Sequence, residues 1–213
     1  MALSQKLFDA IVDGKAQAAQ TIVGKELEAG VDPMALISET MIPAMDEVGR
    51  LFQEEEFFVP ELMLAGRAMK AAMEPLRPLL AAAGAKPAGI VVAGAVKGDL
   101  HDIGKNLVIS MLEGAGFKVV DLGSDVAPEK FVEGIREHEP QIVCLSALLT
   151  VTMTGMKSTI EAIENAGLRR SVKILVGAAP LSQKFATEIG ADGYGASATD
   201  AVALARRQVG LSN

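Results

Sequence analysis

The chain has 213 residues, half of them hydrophobic, enough for one large domain or two small ones with a sizeable core. A net charge of −7 with no basic stripe argues against nucleic acid and against an anionic membrane surface, and one Tyr with no Trp leaves little for aromatic stacking. A single cysteine, Cys144, excludes an internal disulfide and any Cys-rich zinc or iron–sulfur site. No apolar run approaches the length of a membrane span and the start of the chain carries no signal-type segment, so the expectation is a cytoplasmic protein without a membrane partner.

Up to about residue 85 the periodicity is helical. Ser4 is a plausible N-cap for a helix whose apolar face holds Leu7, Ile11 and Val12 and which stops at Gly14. A second helix runs from about Lys15 to Ala29 and ends at Gly30. Asp32-Pro33 reads as an N-cap followed by an N1 proline, opening a helix through Met41, Met45 and Val48 that Pro43 could kink. Pro60 opens a long helix through Leu64, Met69, Met73 and Leu76. These four amphipathic helices predict a small four-helix bundle over 1–84, and Ala81 to Pro87 reads as a linker.

Beyond it, over 88–213, short β-branched runs alternate with helical segments. Strands are expected at 89–95, 118–122, 141–146, 172–176 and, weakly, 191–195; helices at about 104–115, 128–138, 154–166, 181–189 and 199–209. The fold class is α/β: the strand–helix alternation predicts a five-stranded parallel sheet covered on both faces, in a flavodoxin-like (Rossmann-type) order.

Ligands of open parallel sheets sit outside the carboxyl ends of the strands. After the first strand come Gly94, Gly98, Asp99, His101, Asp102 and Gly104; after the third, Ser146, Leu148, Leu149, Thr150 and Thr152; after the fourth, Gly177, Ala178 and Ala179; after the fifth, Gly193, Tyr194 and Gly195. The collection is small, Gly-rich and mildly polar, with one imidazole: a groove for something large that offers one metal ligand. A carboxylate such as Asp99 near a ligating histidine commonly takes its second ring proton, fixing the tautomer. A Ser146–His101–Asp99 hydrolase is the competing chemistry, but no G-x-S-x-G elbow surrounds Ser146. His138 reads as a helix C-terminal cation, Cys144 as an inert buried thiol, and Glu54-Glu55-Glu56 as a solvated turn.

Asp99-Leu100-His101-Asp102-Ile103-Gly104 matches the D-x-H-x-x-G motif of cobalamin-binding domains, Ser146-Ala147-Leu148 matches their S-x-L, and Gly177-Ala178 stands where they usually have Gly-Gly. Each follows an expected strand. In the first half, Pro43 to Ala72 is similar to the helical cap of methionine synthase and of corrinoid proteins from methyltransferase systems. The chain thus resembles that family over nearly its whole length. The resemblance implies a cobalamin whose cobalt takes His101 as lower axial ligand. It implies cofactor contacts from Asp99, Asp102, Ile103, Gly104, Ser146, Leu148, Thr150, Thr152, Gly177, Ala178, Gly193 and Tyr194, with Phe58 shielding the upper face. A His101–Asp99–Thr152 relay follows from the same alignment. By this resemblance the chain is not an enzyme on its own. It is a methyl carrier between a substrate-specific methyltransferase and an acceptor methyltransferase that uses tetrahydrofolate or a thiol, with a reductive activase as a further partner. A cobalamin-dependent sensor and the separate cobalamin subunit of a mutase are the alternatives. The first normally adds a DNA-binding head; the second lacks the helical cap.

Overall fold

The computed structural model describes residues 3–82, 87–177 and 181–211. It divides into two compact units: residues 1–86 with 113–116, and residues 87–112 with 117–213. The boundary expected between 84 and 88 falls mostly outside the described residues, as does Ala178.

The first unit is helical. α1 (Gln5–Val12), α2 (Ala16–Glu28), α3 (Pro33–Leu36), α4 (Ile42–Gln53), α5 (Val59–Met73) and α6 (Arg77–Ala82) follow in order, with a π-helical turn at Ile37–Met41. Its core is the apolar stripe of each longer helix: Leu7 and Ile11, Ala19 and Val23, Met45 and Val48, Leu62 and Met69. Ser4 does occupy the N-cap position, but its hydroxyl makes no cap. It donates instead to Glu26 Oε1 at 2.7 Å, while its N–H donates to Thr40 Oγ1 at 3.1 Å, so it ties α1 to α2 and to the π turn. Gly14 closes α1 at φ +69°, and a Cβ there would lie 2.5 Å from that of Leu64, so a side chain is barred both by conformation and by α5. Asp32 caps α3, accepting from the Ala35 N–H at 2.8 Å.

The helix expected through Pro43 is continuous but not regular. A proline ring removes one N–H and crowds the carbonyl four residues earlier. The π turn directly before Pro43 widens the helix and accommodates both effects, so the chain answers its proline by local widening. Part of the expected linker is helix: α6 takes in Ala81 and Ala82.

The second unit holds a five-stranded parallel sheet: β1 (Ile90–Ala95), β2 (Lys118–Asp121), β3 (Ile142–Ser146), β4 (Lys173–Gly177) and β5 (Gly193–Gly195), in the order β2-β1-β3-β4-β5. The connecting helices are α7 (Ile103–Gly114), α8 (Pro128–His138), α9 (Met153–Asn165), α10 (Gln183–Glu188) and α11 (Ala198–Gln208). Period-two alternation separates the two faces of the sheet. Val92, Val143, Leu145, Ile174 and Val176 join Phe131 and Ile135 of α8 and Met156, Ile160 and Ile163 of α9 in one buried cluster. On the opposite face, a Cβ on Gly193 would meet Leu175 and Leu204 of α11. Among the described residues no helix is long and apolar enough to cross a membrane.

Candidate functional site

The flavodoxin-like order reverses direction at β1 and β3, and that is where the polar residues gather. β1 and β3 pair in register through Ala95 and Ser146, and the strand continues one residue further, where the Val96 N–H donates to the Ser146 carbonyl at 3.0 Å. The chain then turns at Gly98, whose φ of +84° suits a residue without a Cβ, and the Asp99 N–H closes back on the Val96 carbonyl at 3.0 Å.

Asp99 is fully buried. Its Oδ2 accepts from the Thr152 hydroxyl at 2.7 Å and the Leu148 N–H at 2.7 Å, with the Leu149 N–H at 3.5 Å. Its Oδ1 accepts from the His101 N–H at 3.0 Å and lies 3.4 Å from His101 Nδ1. Burial pushes the acid upward, but the bonds from Thr152, Leu148, His101 and Leu149 together outweigh it, and the carboxyl is held below its ordinary value. Asp99 is therefore an anion at neutral pH whose coordination is filled by the β3–α9 loop on one oxygen and by its own loop on the other. The Thr152 hydroxyl also lies 2.8 Å from the Leu149 carbonyl. It has one proton to give, and the charged carboxylate is the stronger acceptor.

His101 is carried outward on this support. Its side chain is half exposed, with Nδ1 turned to Asp99, an arrangement that orients the ring and leaves Nε2 without a hydrogen-bond partner among the described residues. Around it Leu100, Ile103, Leu148, Leu149 and Val151 are exposed, a run of large apolar side chains at the carboxyl ends of β1 and β3. Gly104, in the first turn of α7, has nothing within 4 Å of where a Cβ would stand. The Asp102 carbonyl accepts from the Asn106 N–H at 2.7 Å and so starts that helix.

The other expected site residues divide. Ser146 ends β3, paired with Ala95 and Gly177, and Thr150 is exposed in the following turn. The Tyr194 hydroxyl donates to the Leu181 carbonyl at 3.0 Å, and its ring packs on the core. Gly177, Gly193 and Gly195 have internal reasons for lacking side chains. A Cβ on Gly177 would lie 3.0 Å from the Gly195 carbonyl oxygen; on Gly193, 2.9 Å from Leu175; on Gly195, 3.1 Å from the Ala201 nitrogen. Phe58 belongs to the helical unit, at the N-cap of α5; it is 61% exposed, and its N–H donates to Glu61 Oε2 at 2.9 Å. Of the remaining expectations, Cys144 lies within β3 and burial pushes its thiol up to about 12, His138 ends α8, and Glu54 to Glu56 are exposed. Reading strand ends from sequence passed over the end of β2. There Lys105 of α7 is buried, with Nζ 2.7 Å from both oxygens of Asp121, and Asp125 reaches the loop that carries His101. The signal for that loop is the small, turn-forming Gly123-Ser124-Asp125.

Two family models, each described as a B12 binding domain, match residues 3–77 and 89–203. Trimethylamine corrinoid protein 1 of Methanosarcina acetivorans is 44% identical over 203 residues, covering 94% of each chain. Dimethylamine corrinoid protein 1 of the same organism is 40% identical over 205 residues, covering 96% of each. Among solved structures, the methanol:cobalamin methyltransferase complex MtaBC of Methanosarcina barkeri superposes with a TM-score of 0.84 at 30% identity, covering 98% of this chain and 80% of that one. A cobalamin-binding protein of Desulfitobacterium hafniense DCB-2 gives 0.80 at 33% identity, covering 97% and 98%. With both halves of the chain matched in order, and the imidazole of the D-x-H-x-x-G motif standing exposed above a buried carboxylate, the chain belongs to the B12-binding family of corrinoid proteins, and its cofactor is a cobalamin.

Proposed function

We propose that the chain is a corrinoid methyl carrier in which His101 is the lower axial ligand of cobalt. The observation that carries this reading is the half-exposed imidazole with Nδ1 against the buried anion Asp99. That pairing selects the tautomer whose Nε2 lone pair is free for a metal. The exposed apolar rim of Leu100, Ile103, Leu148, Leu149 and Val151 fits the flat, largely apolar face of a macrocycle, and Gly104 leaves room for close approach. Asp102, Ile103, Ser146, Thr150, Gly177 and Ala178 are proposed to line the same groove. Phe58 is proposed to shield the methyl-bearing face.

The cofactor, when bound, supplies a cobalt that accepts a methyl group as a nucleophile and releases it as an electrophile. The chain's own residues do the rest. Asp99 fixes the ring and is itself held by Thr152. The proposed partners are a substrate-specific methyltransferase, an acceptor methyltransferase serving tetrahydrofolate or a thiol, and a reductive activase. The similarity to trimethylamine and dimethylamine corrinoid proteins favours a methylated amine as donor. The test is electron paramagnetic resonance of the protein loaded with cob(II)alamin. The wild type is expected to show nitrogen hyperfine coupling on the cobalt signal. His101→Ala should lose it while the thermal midpoint stays the same, because the side chain is half exposed on a loop. Coupling that survives in His101→Ala overturns the assignment.

A further inference from the structure

We infer that Asp125, in the loop between β2 and α8, is a positioning residue for His101: it fixes the backbone of the ligand loop from the side opposite Thr152. The inference rests on the reading of His101 as cobalt ligand. Two bonds carry it. Asp125 Oδ1 accepts from the Gly98 N–H at 2.7 Å, and the Asp125 N–H donates to the Asp99 carbonyl at 2.8 Å. One residue therefore holds the peptide group that precedes Gly98 and the one that follows Asp99, spanning the turn that carries the Asp99 side chain. Thr152, Leu148 and Leu149 hold the side chain of Asp99; Asp125 holds its main chain. Since Asp99 Oδ1 takes the His101 N–H, a ring two residues on inherits its position from both sets of bonds.

The clamp is itself anchored. The Val126 N–H donates to the Ala95 carbonyl at 2.9 Å, and Val126 pairs with Val96 as a one-residue extension of the sheet beyond β1. At the root of the same loop, Asp121 accepts from the Gly123 N–H at 2.8 Å and from the buried Lys105 ammonium. Asp125 sits at φ +55°, a conformation that Asp and Asn tolerate better than other non-glycine residues because their short polar side chains bond locally. Here the side chain bonds to Gly98, itself at φ +84°. The Lys97 ammonium, 3.0 Å from the carboxylate, is largely exposed and screened, so the Gly98 bond and not the ion pair is the anchoring contact.

Asp125→Gly tests this without adding strain, because glycine keeps the left-handed backbone and the N–H to Asp99 and loses only the carboxylate. Asp125→Asn keeps an acceptor and the tolerated conformation, and serves as the conservative rescue. In the cofactor-free protein, amide hydrogen exchange at Gly98 and His101 should quicken about three- to tenfold in Asp125→Gly, the range of one ordinary hydrogen bond, and return most of the way in Asp125→Asn. In the cob(II)alamin-loaded protein, the nitrogen-coupled share of the signal should fall several-fold in Asp125→Gly, with Asp125→Asn near the wild type. Unchanged exchange at Gly98, or quickened exchange with an undiminished nitrogen-coupled share, overturns the inference while leaving His101 as ligand. Absence of nitrogen coupling in the wild type overturns both together.

Discussion

The carboxyl ends of β1 and β3 and the carboxyl ends of β4 and β5 lie along the same edge of one sheet, yet the protein has built them by opposite means. At β1 and β3 a buried anion is satisfied by bonds from two loops and an imidazole stands half exposed above it. At β4 and β5 the glycines mark places where the chain packs against itself too tightly for a Cβ. A run of glycines at strand ends can thus arise from internal packing alone. The first region specifies geometry through hydrogen bonds, and the second through close packing of backbone and side chains where glycine has no Cβ.

Three substitutions sharpen the contrast, in order of expected effect. Asp99→Ala should be the most damaging, costing about 3 kcal/mol, because it takes the acceptor from the Leu148 and His101 N–H groups and leaves the Thr152 hydroxyl only the Leu149 carbonyl. Denaturant unfolding of the cofactor-free protein measures it, and a cost below about 1 kcal/mol would show that water replaces the carboxylate. Gly193→Ala should cost about 1–3 kcal/mol by overpacking against Leu175 and Leu204. Because the strain lies in the core and not at His101, the nitrogen coupling of the loaded protein should be unchanged. Loss of that coupling in Gly193→Ala would show that the two regions are not separable.

Thr152→Val should have the smallest effect at neutral pH, about 1 kcal/mol, and its signature is the pH dependence. The folded pKa of Asp99 lies below its unfolded value. Its contribution to stability is therefore fully present above the unfolded pKa, near 4, and is lost as pH falls through the folded pKa. Removing the hydroxyl raises the folded pKa toward the unfolded one, so the variant should lose less further stability on acidification than the wild type. Thermal midpoints between neutral pH and about pH 3 read this, and parallel curves would mean that Thr152 does not stabilise the Asp99 charge.

Much of the fold was legible because local rules and tertiary structure agree here. The five expected strands and their helices appear within a few residues, since a doubly covered parallel sheet imposes continuous β-branched runs that turn residues punctuate. The exceptions have named causes. Ser4 sits at a helix start but bonds to Glu26, because its hydroxyl reaches a partner on α2 that no window of local sequence contains. At Pro43, where the sequence suggested a kink, the helix is preceded by a π turn that no local pattern of residues announces. Tyr194 lies within β5, and its bond to the Leu181 carbonyl joins it to a segment that no local pattern around it indicates.

What the sequence by itself determined is chemistry of short range: the single imidazole in a D-x-H-x-x-G loop, the hydroxyl at Thr152, the alternation that makes a parallel sheet, and the small residues at the strand ends. What only the tertiary structure decided is which of these meet. Asp99 and Thr152 are far apart in the chain and 2.7 Å apart in space, and Asp125 reaches Gly98 from another loop altogether. Strand order decides such meetings: β1 lies between β2 and β3, so the loops after all three converge, and order in a sheet is set by crossover and packing of whole units, not by any local pattern of residues.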